Sequence, residues 1–385
     1  MGPFVMIAGI VAMIVIHEGG HFLAAKAFGM KATRAFFGFG PTLWSTTRGE
    51  TEYGVRAIPL GGFVSIIGMN PFEEIPEEDE HRTYRAAPFW KKTVVVLAGV
   101  FSHFVVALFL LWFVGTVWGI VVLDADGIPE RTTTIAAVSP VVPGTSEPSP
   151  AAVSGIEPGD IIVATNGEPI ATWDEFSLFA EEHAGDSVAV TVDRDGQPLD
   201  LRATFSTIDR PIVVDNEFVL GPDGDLVTEE VGFYGVTPEA ARDEVGPIRM
   251  LPLAASQFGE IAVMSMRGLG QLVIGFPELV LSLFGGNDEI LETIRPISPI
   301  GLVQLAGPLE STLVLLALVN IFVGVLNFVP FYPLDGGHFA VAAYEKITGR
   351  KPKVEKMLPF AAAIFIFIVS LGLIGVYLDI FKPIQ

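Results

Sequence analysis

Three ionisable residues, His17, Glu18 and His21, fall within five positions of an otherwise apolar stretch. Four residues make slightly more than one helical turn, so imidazoles at 17 and 21 project from one face of a helix. Two imidazoles so placed can reach one Zn2+ ion. The carboxylate of Glu18 stands beside one ligand and can take a proton from water without coordinating the metal. That is the arrangement for metal-assisted hydrolysis. Its bland alternative is a buried histidine pair making structural hydrogen bonds. The pattern arises easily by chance in a soluble chain; inside a membrane-crossing segment, where ionisable groups cost several kcal/mol, it is far more specific. Gly19 and Gly20 each cost about 1 kcal/mol relative to Ala in a helix. Close approach of another backbone, or local unwinding at the metal, would account for them.

A catalytic zinc needs a third protein ligand and an open fourth position. The chain has no Cys, which excludes thiolate ligands, thiol nucleophiles and disulfides. The remaining intramembrane candidates are His103, Asp335 and His338. Asp335 lies in Asn327-Phe-Val-Pro-Phe-Tyr-Pro333-Leu-Asp335-Gly-Gly. The prolines end or kink a helix, and the glycines permit a tight turn that could swing a carboxylate to the metal. His103 reads as a packing residue or a support behind the ligands. His338 reads as a support behind the ligands or an interfacial residue. Asn327 could hydrogen-bond substrate backbone or a developing oxyanion; a helix–helix hydrogen bond is the alternative.

These residues need elements to hold them. Of 385 residues 50% are hydrophobic and only 17% charged, with a net charge of −21. A spanning helix takes about 20 apolar residues, and four runs qualify. The expected layout is a first span in 1–30, a cytoplasmic or re-entrant β region in 31–93 and a second span in 94–123. An extracytoplasmic domain (124–205) follows, then β segments and amphipathic helices (206–305). A third span in 306–335, a cytoplasmic loop in 336–357 and a fourth span in 358–381 complete it. The first run lacks the basic flank and cleavage site of a signal peptide. Residues 250–284 are interrupted by charges and by Pro277 and read as amphipathic helices rather than a span.

Charge gives the orientation. Segment 123–300 holds eight Arg against thirty Asp and Glu, a net of 8 − 30 = −22. Segments 23–93 and 336–356 hold nine and five Lys plus Arg. By the positive-inside rule the basic segments are cytoplasmic, while the acidic segment and both termini are extracytoplasmic. That puts Asp335 on the same side as His17, which lies about 20 Å along its helix at about 1.5 Å per residue, nearer the cytoplasmic face. The acidity disfavours a nucleic-acid partner; the partner implied is the lipid bilayer.

Within 124–205, Thr132–Val138 and Ser187–Asp193 are strand-like, Asp174–Glu182 reads as a helix, and Asp195-Gly196 marks a hairpin. Gly155-Ile-Glu-Pro-Gly159-Asp160 resembles the Gly-Leu-x-x-Gly-Asp turn of bacterial PDZ domains, which implies a peptide-binding module or a steric gate. In 31–72, short Gly-punctuated β segments, among them Gly61-Gly62-Phe63-Val64, follow directly on a span. Open sheet edges cannot face lipid, so a re-entrant hairpin lining a cavity is expected, with an ordinary cytoplasmic hairpin as the alternative.

Together, His17-Glu18-x-x-His21, Gly61-Gly62-Phe63, a single PDZ-like insert and Leu334-Asp335-Gly336, in that order, resemble the site-2 protease family of intramembrane zinc metalloproteases. The bacterial regulator-of-sigma-E subgroup is the nearest in pattern. The resemblance implies a polytopic α-helical membrane protein with about four transmembrane helices, a re-entrant β-hairpin and an inserted α+β domain. It implies zinc held by His17, His21 and Asp335, Glu18 as base, and a hairpin at Gly61–Val64 that presents substrate. The substrate class it implies is a single-span protein of the anti-sigma-factor type, already cut once outside the membrane. Two departures stand out. Tyr332 occupies the second Pro position of the usual Asn-x-x-Pro-x-Pro pattern. The second span reads Ala98-Gly-Val-Phe-Ser-His103 where Ala-Gly-Pro and then Asn are frequent. A membrane-anchored PDZ adaptor with a structural metal and a metal transporter are the other readings; the latter lacks a ladder of ligands across the spans.

Overall fold

The computed structural model describes residues 1–70, 73–125, 127–214, 217–218, 226–285, 295–350, 352 and 354–382. The chain divides into two compact units, one made of 1–118 and 245–385, the other of 119–244.

The first unit is helical with one β element. Helix α1 spans Gly2–Ala27, and the strands β1 (Ala32–Arg48) and β2 (Thr51–Ile66) follow it. Helix α2 runs from Phe89 to Trp118. Among the described residues, four helices are long and apolar enough to cross a membrane: Gly2–Ala27, Phe89–Trp118, Leu309–Phe328 and Met357–Phe381. Large apolar side chains on them, such as Phe4, Phe101, Phe109 and Phe365, are exposed, as expected of surfaces that meet lipid tails. The second span begins at Phe89 and ends at Trp118, five residues earlier at each end than the apolar run suggests. Phe89 and Trp90 open the helix ahead of Lys91 and Lys92, and Gly119 at φ 80° closes it.

β1 and β2 fold over one another rather than forming a simple ladder. Phe36 lies opposite both Phe63 and Gly54, and Phe37 opposite both Gly62 and Val55. Four stretches therefore stand side by side, in the order 62–66, 32–37, 52–55 and 44–48. Gly54 makes this possible, because a Cβ there would collide with the Phe36 ring and with the Trp44 carbonyl. At the turn, Glu50 accepts from Lys26 at 2.6 Å and from Arg82 at 2.7 and 2.9 Å, which ties the β1–β2 turn to the end of α1.

The inserted unit is α+β. It contains β3 (Arg131–Val138), α3 (Pro150–Ser154), β4 (Ile161–Thr165), α4 (Trp173–Glu182), β5 (Ser187–Arg194) and β6 (Gln197–Thr204). Then come β7 (Ser206–Pro211), β8 (Thr228–Phe233) and β9 (Val236–Ala240). The main sheet runs β9-β3-β4-β5-β6, with β7 paired to β8 apart from it. Val188, Val190 and Val192 alternate inward on β5 and pack with Phe176, Phe205 and Tyr234. The sequence reading closed this domain at 205. Its sheet is completed by β9 from the acidic segment beyond, so the unit extends to Glu244. Asp160 is buried and accepts from Arg194 at 2.7 Å through both Nε and Nη2, and from the Glu157 N–H at 2.8 Å. Gly155 (φ 82°) and Gly159 (φ 95°) take left-handed conformations that favour glycine. The Gly-x-x-x-Gly-Asp turn is thus a clip closed by Arg194.

The first unit resumes with α5, a single helix from Pro247 to Gly285 with Pro252 and Pro277 inside it. Pro277 does not divide it as the sequence reading expects. The helix packs on α2, and Leu279 packs on Leu378. Short α6 (Pro299–Leu305) and α7 (Leu309–Phe328) follow. The segment expected as a cytoplasmic loop is helix α8, Asp335–Thr348, closed by Gly349 at φ 67°. The last helix, α9, covers Val354–Phe381. Lys351 and Lys353 of the basic cluster, and 286–294 of the segment read as amphipathic, lie outside the described residues. Helix α2 is central: α1, α5, α7 and α8 all touch it.

Candidate metal centre

Helix α1 places His17 and His21 one turn apart, with their rings edge to face at 4.8 Å. His21 is 7% exposed, and its Nδ1 lies 2.8 Å from the Val95 carbonyl oxygen on α2. A carbonyl only accepts, so Nδ1 carries the proton and Nε2 presents a lone pair. His17 Nε2 is 3.3 Å from His21 Nε2.

The third group arrives from far along the chain. Helix α7 ends at Phe328, the prolines turn the backbone, and Asp335 is the first residue of α8. The glycines after it let that turn close tightly. A Cβ at Gly336 would strike the carbonyls of Phe328 and Val329, and one at Gly337 would strike the backbone of Phe331 and Tyr332. Asp335 Oδ2 thereby comes within 3.5 Å of His17 Nε2 and 3.3 Å of His21 Nε2.

These three atoms form a triangle with edges of 3.3, 3.3 and 3.5 Å. A tetrahedral zinc with bonds of about 2.0–2.1 Å sets its ligand atoms about 3.3–3.4 Å apart. Asp335 Oδ2 is buried and has no hydrogen-bond partner, the condition of a carboxylate oxygen prepared for a cation. The group His17, His21 and Asp335 could hold a metal ion, and two imidazole nitrogens with a carboxylate oxygen suit zinc.

Backbone proximity explains one of the two glycines between the histidines. A Cβ at Gly20 would sit 2.6 Å from the Ala98 carbonyl oxygen of α2, whereas one at Gly19 would meet nothing within 4 Å. Opposite them, a Cβ at Gly99 would collide with the ring of His21 and lie 2.8 Å from His17 Cε1. Nothing local to 98–103 announces that contact; only the packing of α1 on α2 does.

Glu18 is half-buried. The stretch Gly61–Val64 reaches it: a Cβ at Gly62 would lie 3.2 Å from Glu18 Cγ and 3.1 Å from the Phe36 carbonyl oxygen. Gly61 has φ 129°, and the Phe63 ring stacks on Phe36 at 5.6 Å. The stretch 62–66 is the end member of the four-stretch array. Asn327 lies half-buried in the last turn of α7. His338 is in the first turn of α8, its ring 4.7 Å from that of Tyr332. His103 stands on α2 with its ring 4.8 Å from His17, and its Nδ1 is 3.1 Å from Oδ1 of Asn320 on α7. The sequence marks Asn320 as an amide embedded in the third apolar run and assigns it no role. The identity of its partner was not legible there.

A model of peptidase family M50 matches residues 5–371. The chain is 33% identical over 403 residues to the zinc metalloprotease Rip1 of Mycobacterium tuberculosis, covering 98% of this chain and 96% of that one. Rip1 of Mycolicibacterium smegmatis is 32% identical over 368 residues, covering 90% and 86%. A Brucella suis protein named as a zinc metalloprotease is 31% identical over 359 residues, again covering 90% and 86%.

Proposed function

The chain belongs to peptidase family M50, the site-2 protease family, and is a membrane-embedded zinc metalloprotease; from that premise we propose that it is an intramembrane endopeptidase cutting the transmembrane segments of single-span proteins. The observation that carries this reading is the triangle formed by His17 and His21 of the apolar helix α1 with Asp335 of α8, the Glu18 carboxylate interacting with His21 and Asp335.

His17, His21 and Asp335 would hold the ion, which supplies Lewis-acid polarisation of a peptide carbonyl and of water. Glu18 takes the proton from the attacking water and returns it to the leaving amine. A helical substrate hides its carbonyls in its own hydrogen bonds, so it must unwind before it can be cut. The end stretch Gly62–Ile66 offers a strand edge on which an unwound segment can pair, with Gly61, Gly62, Phe63 and Val64 nearest Glu18. Asn327 is assigned to substrate backbone. In this reading β1 and β2 form a re-entrant hairpin, the active site faces the cytoplasm, and unit 119–244 and both termini lie outside; the basic segments flanking the spans support that orientation. The inserted unit acts as a PDZ-like filter, and the substrate class is an anti-sigma factor shortened by a first extracytoplasmic cut.

The test is Glu18→Gln in the full chain. Zinc content should stay at the parent value while cleavage of a single-span substrate falls by about 10²–10⁴-fold, the usual worth of a general base. The same variant should trap uncut single-span proteins. Unchanged cleavage would remove Glu18 from the mechanism.

A further inference from the structure

The two histidines of the triangle are not held alike. His21 is oriented in the usual way for a metal-binding imidazole, its second ring nitrogen donating to the Val95 carbonyl. His17 is held less firmly: its Nδ1 is buried without a well-formed hydrogen bond, and its backbone interaction is with Gly99 on α2.

Besides the edge of its fellow ligand His21, the His17 ring meets a third imidazole, brought by α2. His103 is 3% exposed, with ring centroids 4.8 Å apart and planes inclined by 33°. His103 is in turn fixed. The Asn320 side-chain N–H donates to the Leu316 carbonyl at 2.8 Å, which leaves Oδ1 as the acceptor facing His103 Nδ1 at 3.1 Å. That orientation makes Nδ1 a protonated, donating nitrogen. Close packing clamps this relay: a Cβ at Gly324 would sit 3.2 Å from His103 Cβ and overlap the Phe104 ring. His103 is not a member of the group of atoms that could hold the ion, so it acts through His17 and not as a ligand.

We propose that His103, anchored by Asn320, is a positioning residue for His17, supplying by ring contact the support that the Val95 hydrogen bond gives His21. Three helices thereby set one ligand: α7 orients α2's imidazole, and α2's imidazole orients α1's. The inference rests on the reading of His17, His21 and Asp335 as the zinc ligands, and its readout is metal affinity rather than peptide cleavage.

Two substitutions cut the same link while keeping volume. His103→Phe keeps a ring against His17 but loses the Nδ1 donor, and Asn320→Leu removes the acceptor. The experiment is competition for Zn2+ between the full-length protein in detergent and a chromophoric chelator, together with the visible spectrum of the Co2+-loaded protein. Each variant should weaken metal binding by about 10–100-fold, the range for groups supporting metal ligands, and should perturb the Co2+ spectrum. The double variant should be no weaker than either single one, because both remove one interaction. Thermal unfolding of the metal-free proteins measures the cost of the buried partner each substitution strands, and the loss of Zn2+ affinity should exceed that destabilisation. Parent-like Zn2+ affinity in both variants, or losses that multiply in the double variant, would overturn the proposal. So would a loss matched by an equal destabilisation of the metal-free protein.

Discussion

Gly99→Ala adds one methyl group to α2, and the geometry makes its cost calculable. The new Cβ would stand 2.8 Å from His17 Cε1 and would overlap the His21 ring. Ordinary contact begins at 3.4 Å, so His17 alone must yield by 3.4 − 2.8 = 0.6 Å, and His21 by more. Metal–ligand distances are held to within about 0.2 Å, and the Nε2–Nε2 edge of the triangle is 3.3 Å. A displacement three times that tolerance, applied to two of three ligands, takes the triangle out of register with a tetrahedral ion. Gly99 is itself backbone of the central helix and cannot retreat, because α1, α5, α7 and α8 surround it. We expect Zn2+ affinity to fall by at least about 100-fold, the upper end of what loss of a ligand-supporting group costs, with cleavage falling in parallel. Chelator competition measures the first and peptide cleavage at saturating Zn2+ the second. Gly19→Ala is the control. Its Cβ meets nothing within 4 Å, so it should leave metal affinity unchanged and stabilise α1 by up to about 1 kcal/mol. A Gly99→Ala protein with parent affinity for Zn2+ would refute the close-approach argument.

Asp379 is 0% exposed; its carboxylate accepts from Arg295 at 2.9 Å and from the N–H groups of Ser298 and Gly301 at 2.8 and 3.1 Å. Asp379→Leu strands the Arg295 charge and should cost about 3–5 kcal/mol by detergent-phase unfolding, and adding Arg295→Leu should recover part of it; no recovery would discount the ion pair. In the inserted unit, Arg194 holds the Asp160 carboxyl below its ordinary range. A depressed carboxylate stabilises the fold above its unfolded pKa of about 3.9 and loses that contribution as the pH drops. Amide-exchange protection at Val188, Val190 and Val192 should therefore weaken on acidification towards pH 3, after correction for intrinsic exchange, and Asp160→Asn should remove most of that pH dependence.

The sequence by itself determined the features that depend on local period and composition. Helical spacing put His17 and His21 on one face, apolar length gave four spans, and glycine and aspartate marked the turn at Gly155–Asp160. The boundaries it drew from apolar runs alone missed those set by pairing. The inserted sheet needs Val236–Ala240 as its edge strand, and α8 begins at Asp335 where a loop seemed sufficient. Residue types and spacing leave His103, Asp335 and His338 open as the third ligand; the family resemblance implies Asp335, and the tertiary structure brings its carboxylate to the two histidines. The tertiary structure alone shows that Gly99 must lack a side chain, that Gly62 lies against Glu18, and that Asn320 rather than another polar group holds His103. Each of those is a contact between elements distant in the chain. Such contacts are fixed by how close two helices come; a glycine such as Gly20 signals a close approach, but neither helix read alone says which residue of which element makes it.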